Sequence, residues 1–174
     1  VSDRTGVDNI YALELATDLY KLARRGRNPM SLVNGHMGAG IAMFYLADFT
    51  AAKAHLERAC AHYDLDSHRR EMSTMGWDLG IPSFCYRAKT LWMLGYPEKD
   101  IEHARKALAF AEELSSPFHW GLANSLLSTY YTYRGEPAQA LHHATATVAV
   151  CQEHGFNHWL ASGTIFKGWA LARQ

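Results

Sequence analysis

Three stretches of this chain repeat one device, a tight turn followed by an alanine-rich amphipathic run. They are LADFTAAKAHLERACAHY at 46–63, LGYPEKDIEHARKALAFAEEL at 94–114 and RGEPAQALHHATATVAVCQEHGF at 134–156. Setting Ala47, Gly95 and Gly135 in register also aligns Phe49, Pro97 and Pro137. The same register aligns Ala52, Asp100 and Ala140, then Leu56, Ala104 and Ala144, then Ala59, Ala107 and Thr147. The spacing is 48 residues from Ala47 to Gly95 and 40 from Gly95 to Gly135. Two helices per unit at a period of about 40 residues is the pattern of an α-solenoid. A lone helical hairpin buries too little apolar surface to stand by itself, so copies stack and share a core. The recurring small residues let the second helix of each pair approach the first closely.

Helix boundaries are marked by local chemistry. Asp8 is placed to cap a leading helix over 8–25, and Asn28 precedes Pro29 as a cap followed by proline at the first helical position. Ser116 with Pro117, and Gly135 with Glu136 and Pro137, repeat that arrangement. Gly155 reads as a left-handed C-cap, and Asn157 as the cap of the final helix. The first helices of the pairs then run over about 29–46, 79–94, 117–133 and 157–173. No segment alternates with period two over strand lengths, so the expectation is all-α with essentially no sheet. The extra eight residues between the first two units fall in DLDSHRREMSTMGWD, 64–78, as a longer loop or a short added helical turn. Asp100 stands where its counterparts are Ala52 and Ala140. Either that helix rotates slightly, or Asp100 caps it from a later start, and the second reading is preferred.

Composition narrows the function classes. Hydrophobic residues are 48% of the 174, enough for one domain with a real core. Lys plus Arg and Asp plus Glu are 17 each, so no global field favours nucleic acid or an anionic membrane. Lys21, Arg24, Arg25 and Arg27, with Arg69 and Arg70, read as solvated helix ends. Cys60, Cys85 and Cys151 are far apart and odd in number, which argues for a reducing compartment and against a disulfide framework. No apolar window is long enough to span a membrane, and VSDRTGVDNIYALEL lacks the order of a signal peptide. A cytoplasmic location is expected.

The small, large, glycine and alanine slots of each unit resemble those of tetratricopeptide-like repeats. They are Gly40, Met43, Ala47 and Ala52 in the first unit; Ala88, Leu91, Gly95 and Asp100 in the second; and Ser128, Tyr131, Gly135 and Ala140 in the third, with Gly168 and Leu171 opening a fourth. The resemblance implies a right-handed α-solenoid of about seven to eight helices in a single domain over 1–174. A leading helix at 8–25 would be followed by repeats at 29–64, 79–114 and 117–154 and a half repeat at 157–174. A narrower resemblance rests on AKAHLERACAHYDLDSH, AKTLWMLGYPEKDI, SSPFHWGLA, YRGEP and CQEHGFNHWLASGTIFKGWALARQ. These strings look like the C-terminal repeat region of bacterial signalling proteins that join a class III adenylate/guanylate cyclase or other output module to an AAA-type regulatory ATPase. That implies a sensor or scaffold arm. The chain carries neither a GxxxxGK[ST] phosphate loop nor the paired metal-binding aspartates of a cyclase, so neither activity is carried over.

In such repeats the first helix of each pair lines a concave face. The residues mapped to it are Asn34, Met37, Ile41, Phe44 and Tyr45, then Cys85, Lys89, Trp92 and Met93, then Ser125, Thr129, Thr132 and Tyr133, and finally Trp169. This aromatic- and methionine-rich lining suits an apolar peptide or helix from a protein partner. A sensor binding a small apolar ligand or peptide in the groove is the alternative. The final helix carries Trp159, Ile165, Phe166, Trp169 and Leu171, which cannot all pack inward, so self-association through a terminal helix is expected. The end of the chain, one residue before the next turn glycine, reads as an excised piece of a longer solenoid or a minimal free-standing one.

Catalysis and metal binding have weak support. Cys151, His154 and His158 would share a face only if a helix ran through Gly155 and Asn157, and adjacent His142 and His143 point about 100° apart. No base or orienting group accompanies Cys85 in a recognisable pattern. Glu112–Glu113 and Asp64/Asp66 sit at helix ends where solvated surface explains them. No cofactor and no metal are expected, and the preferred reading is a non-enzymatic interaction module.

Overall fold

The structure is a computed structural model that describes residues 10–11, 13–15, 17–22, 29–66, 68, 76 and 78–174. Seven helices are bounded within it: α1 (Pro29–Tyr45), α2 (Phe49–His62), α3 (Gly80–Met93), α4 (Pro97–Leu114), α5 (Pro117–Arg134), α6 (Pro137–His154) and α7 (Asn157–Leu171). The described residues between 10 and 22 are also helical, and no strand occurs among the described residues. The caps expected at Asp8 and Asn28, and the basic residues Arg24, Arg25, Arg27, Arg69 and Arg70, lie outside the described residues. Leu65, Asp66 and His68 are helical, so the insertion after α2 contains a short added turn rather than a plain loop.

The hairpin turns are the same object three times. Ala47, Gly95 and Gly135 adopt φ of 61°, 81° and 70°. In each, the amide of the left-handed residue bonds back into the helix just ended: Ala47 to the Phe44 carbonyl, Gly95 to Trp92 and Gly135 to Thr132. The next amide reaches the carbonyl five residues back, from Asp48 to Met43, Tyr96 to Leu91 and Glu136 to Tyr131, each at 3.0 Å. Carbonyls left over at the helix end are thereby satisfied. Proline then opens α4 and α6 with its φ already helical, while α2 opens on Asp48, whose carboxylate accepts the Ala51 amide at 3.0 Å. Ala47 alone of the three carries a Cβ in this left-handed position. Ala47→Gly is expected to raise stability by roughly 0.5–1 kcal/mol, about 1–4 °C in Tm by circular dichroism. A Tm that falls would show that the turn gains nothing from losing its Cβ.

Gly155, at φ 74°, ends α6 in the left-handed region as its position predicts. The reading of Asn157 as a cap is corrected: Phe156 holds that position, Asn157 is the first residue of α7, and no side chain caps this end.

Successive helices pack in order, α1 on α2, α3 on α4, α5 on α6 and α6 on α7, with α2 on α3 and α4 on α5 joining the pairs. The first helices also touch one another, α1 with α3, α3 with α5 and α5 with α7, forming a continuous layer. Small residues set the spacing. A Cβ on Gly40 would lie 2.6 Å from Leu56 Cγ, and one on Gly121 would lie 2.9 Å from Cys151 Sγ. On the facing helices Ala52, Ala107, Ala140 and Ala144 are fully buried. One core cluster runs through Phe44, Leu56, Ile81, Phe84, Leu122 and Tyr130, crossing from the first pair to the third. Each such fully buried Leu or Ile contributes about 1.5–3 kcal/mol, so the layers are held by what neighbouring pairs share. No helix among the described residues is long and apolar enough to cross a membrane.

Two polar contacts cross this core. Asp100 does not cap α4; it lies one turn inside the helix, its amide bonded to the Tyr96 carbonyl. Its carboxylate is fully buried and accepts from Arg134 Nη1 at 2.9 and 3.0 Å. Asp78 is buried too, and its carboxylate accepts the Tyr63 hydroxyl at 2.5 Å and the Ile81 amide at 2.8 Å.

Candidate functional site

Four consecutive first helices present stripes at helical spacing to one cavity of about 410 Å³. Ile41 and Tyr45 come from α1; Pro82, Tyr86 and Lys89 from α3; Leu122, Ser125, Leu126, Thr129 and Tyr133 from α5; and His158, Trp159, Ser162 and Phe166 from α7. Spacings of three and four residues put each set on one face of its helix. The Ser125 hydroxyl donates to Ser162 Oγ at 2.8 Å and ties α5 to α7. The Tyr45 and Tyr86 hydroxyls meet at 2.8 Å and tie α1 to α3. Phe44 packs edge-on against Tyr86 from behind, with centroids 5.6 Å apart.

The electrostatics of the wall are set by burial. Burial pushes the Tyr86 phenol well above its ordinary value, with the Tyr45 phenol adding to the shift. Tyr133 is raised for the same two reasons. Lys89 is 1% exposed, and burial brings its ammonium down to about 8. Its Nζ lies 4.4 Å from the Tyr86 ring centroid. Among the described residues no carboxylate lines the cavity.

Of the residues expected on the concave face, Ile41, Tyr45, Lys89, Ser125, Thr129 and Tyr133 converge here. Three others are corrected to the interior: Met37 in a small cluster with Val33 and Leu79, and Phe44 and Cys85 in the main core. Phe44 and Cys85 are each next to a cavity residue, Tyr45 and Tyr86, and so point about 100° away from it. Met37 shares the stripe of Ile41 and Tyr45 but lies one turn nearer the start of α1, against Val33 and Leu79. Trp92 is a brace, its indole N–H donating to the Tyr133 carbonyl at 3.0 Å while the Arg134 guanidinium lies 4.8 Å over its ring. Asn34, half-buried on α1, is outside the cavity lining. So are exposed Met93 and half-buried Thr132, whose hydroxyl donates to the Ser128 carbonyl. Trp169, near the end of α7, is covered by the Arg173 guanidinium at 5.4 Å and is also outside.

The missed residues follow a spacing present in the sequence. Pro82, Leu122 and Ser162 are 40 residues apart in series, and so are Tyr86, Leu126 and Phe166; all six line the cavity. Extending the 40-residue period to the inward stripe, as well as to the turns, finds them. On α7, Trp159 and Phe166 turn into the cleft, while Ile165 and Leu171 stand 66% and 55% exposed.

The other chemical candidates are held apart or shielded. Cys85 is fully buried and its thiol is pushed up to about 12, which withholds the thiolate that nucleophilic work needs. Cys60 is raised to about 11 by burial, against the pull of Arg87. Cys151 is buried on α6, while His154 and His158 are exposed on either side of the turn at Gly155. His143 is buried with Nδ1 2.8 Å from Asn124 Oδ1, and its neighbour His142 is exposed. Glu112, Glu113, Asp64 and Asp66 are all exposed.

No family profile matches the chain, and no curated protein matches it.

Proposed function

We propose that this chain is a non-catalytic recognition module, a right-handed solenoid of tetratricopeptide-like hairpins that receives an apolar group in the cleft between α1, α3, α5 and α7. The observation that carries this reading is the cavity itself. Fourteen residues from four successive first helices surround about 410 Å³ with an aromatic and aliphatic wall. Ligand sites have this character, mostly apolar with a few placed polar groups, and run from about 300 to 1,000 Å³. The repeat-like packing supports the solenoid, because each pair of helices adds one stripe to the wall. Of the two recognition readings, a volume of about 410 Å³ favours a small ligand or an inserted side chain over a long peptide. Coupling to a signalling partner is the role implied by the string resemblance, and terminal helices would transmit it.

The test is a neutral apolar probe. Titrating 4-phenyl-1-butanol is expected to shift the methyl signals of Ile41, Leu122 and Leu126 and the indole signal of Trp159. Ser162→Trp places an indole in the cavity and is expected to abolish those shifts while the helical circular dichroism is unchanged. Shifts that fall elsewhere, or persist in Ser162→Trp, would remove the cleft as the binding site.

A further inference from the structure

Lys89 is the cavity residue that an apolar cleft does not explain. It lies in the middle of α3, 1% exposed, rather than running its stem out to water as lysines on apolar surfaces do. Among the described residues its Nζ has neither a carboxylate within ion-pair distance nor a hydrogen-bond acceptor. The groups around it are the Cys85 thiol and the Tyr86 ring on its own helix, and across the cavity the Tyr45 and Tyr133 phenols and the His158 imidazole. None of these carries the negative charge that would balance a buried ammonium, and a ring face offsets only part of the cost. The register points the same way: Thr129 and Trp169, 40 and 80 residues on, carry no charge. Burial of an unpaired cation is a standing cost to the fold, and it favours whatever brings the missing charge.

We propose that Lys89 anchors a small apolar carboxylate, pairing with the carboxyl group while the hydrocarbon or aromatic body packs on Leu122, Leu126, Trp159 and Phe166. This rests on reading the cleft as a binding site. A monoanion fits because, among the described residues, the wall supplies one buried ammonium and no guanidinium fork of the sort that grips phosphate. The cavity volume, at the small end of the ligand range, matches a free small molecule rather than a peptide chain.

Isothermal titration with 4-phenylbutyrate and its neutral counterpart 4-phenyl-1-butanol tests this, on the wild-type chain and on Lys89→Met. Methionine keeps most of the side-chain volume and relieves the buried charge, so the variant is expected to melt no lower than wild type. The wild type is expected to prefer the carboxylate by about tenfold or more, the usual worth of a charge-assisted contact. In Lys89→Met that preference is expected to vanish while the alcohol binds as before. Equal affinities in the wild type would overturn the role of Lys89 and leave the cleft reading standing. A preference that survives in Lys89→Met would place the anion elsewhere. Binding of neither compound would overturn both.

Discussion

Arg134→Met is expected to lower unfolding stability by about 3–5 kcal/mol, measured by urea denaturation at neutral pH. Asp100 is fully buried on α4, and the 12%-exposed side chain of Arg134 is the cation that faces it from α5. Arg134 also donates to Glu136 Oε1 at 2.6 Å and to the Tyr130 hydroxyl at 3.2 Å, so one guanidinium closes the seam between two pairs. Removing it leaves a carboxylate inside the core with its charge unanswered. Burial already raises the Asp100 carboxyl above its ordinary value, more than Arg134 pulls it down. A raised folded pKa means that stability falls as pH climbs from the ordinary carboxylate range through the raised value. Without Arg134 that window extends further up. The deficit of Arg134→Met should therefore shrink in acid, where Asp100 is protonated in folded and unfolded chains alike.

The repeat register supplies the compensating change. Asp100 corresponds to Ala52, and Arg134 to Leu94 one unit earlier. The double variant Asp100→Ala/Arg134→Leu writes that apolar pair into the second seam, and it is expected to recover most of the stability lost in either single variant. A deficit below about 1 kcal/mol for Arg134→Met, or one that does not change with pH, would show that the pair is not the hinge of this seam.

Asp78→Ala is expected to cost about 3 kcal/mol, read by thermal unfolding. The Asp78 carboxylate accepts the Ile81 amide at the start of α3, and it also accepts the Tyr63 hydroxyl from the end of α2. Its own amide donates to His119 Nε2 at 3.1 Å on α5. One residue thus joins three helices across the insertion at 64–78. Burial and the Asp78 charge push the Tyr63 phenol far above its ordinary value, so it stays a donor at any pH the fold survives. Alanine would strand two donors at once. Asp78→Asn keeps one acceptor oxygen, and the expected loss is about 1 kcal/mol. Hydrogen exchange at the Ile81 amide should accelerate in the alanine variant before global unfolding. An unchanged exchange rate there would mean that α3 does not depend on this cap.

Residues that act on their immediate neighbours declare their roles in the sequence. Pro97, Pro117 and Pro137 open helices because the ring sets φ in place, and Gly95, Gly135 and Gly155 end them because no Cβ opposes a left-handed turn. Even Ala47, with its Cβ, is found by register alone. The small residue at Gly40 recurs one unit on as Ala88 and then Ser128, and that at Ala52 returns as Ala140, and this recurrence suffices to say where helices touch.

Lys89, Cys85 and Asp100 are legible as residues but not as roles. Their positions on helices are evident; the rotation of each helix about its own axis is not, because a few tens of degrees decide between cleft and core. Cys85 turns inward by that margin and Lys89 reaches the cavity by it. Asp100 acquires its meaning from Arg134, 34 residues away on another helix. Turns and spacings depend on short-range sterics, which the order of residues by itself determines. Burial, ionisation and the choice of partner depend on what other helices place within a few ångströms, and that only the packed chain decides.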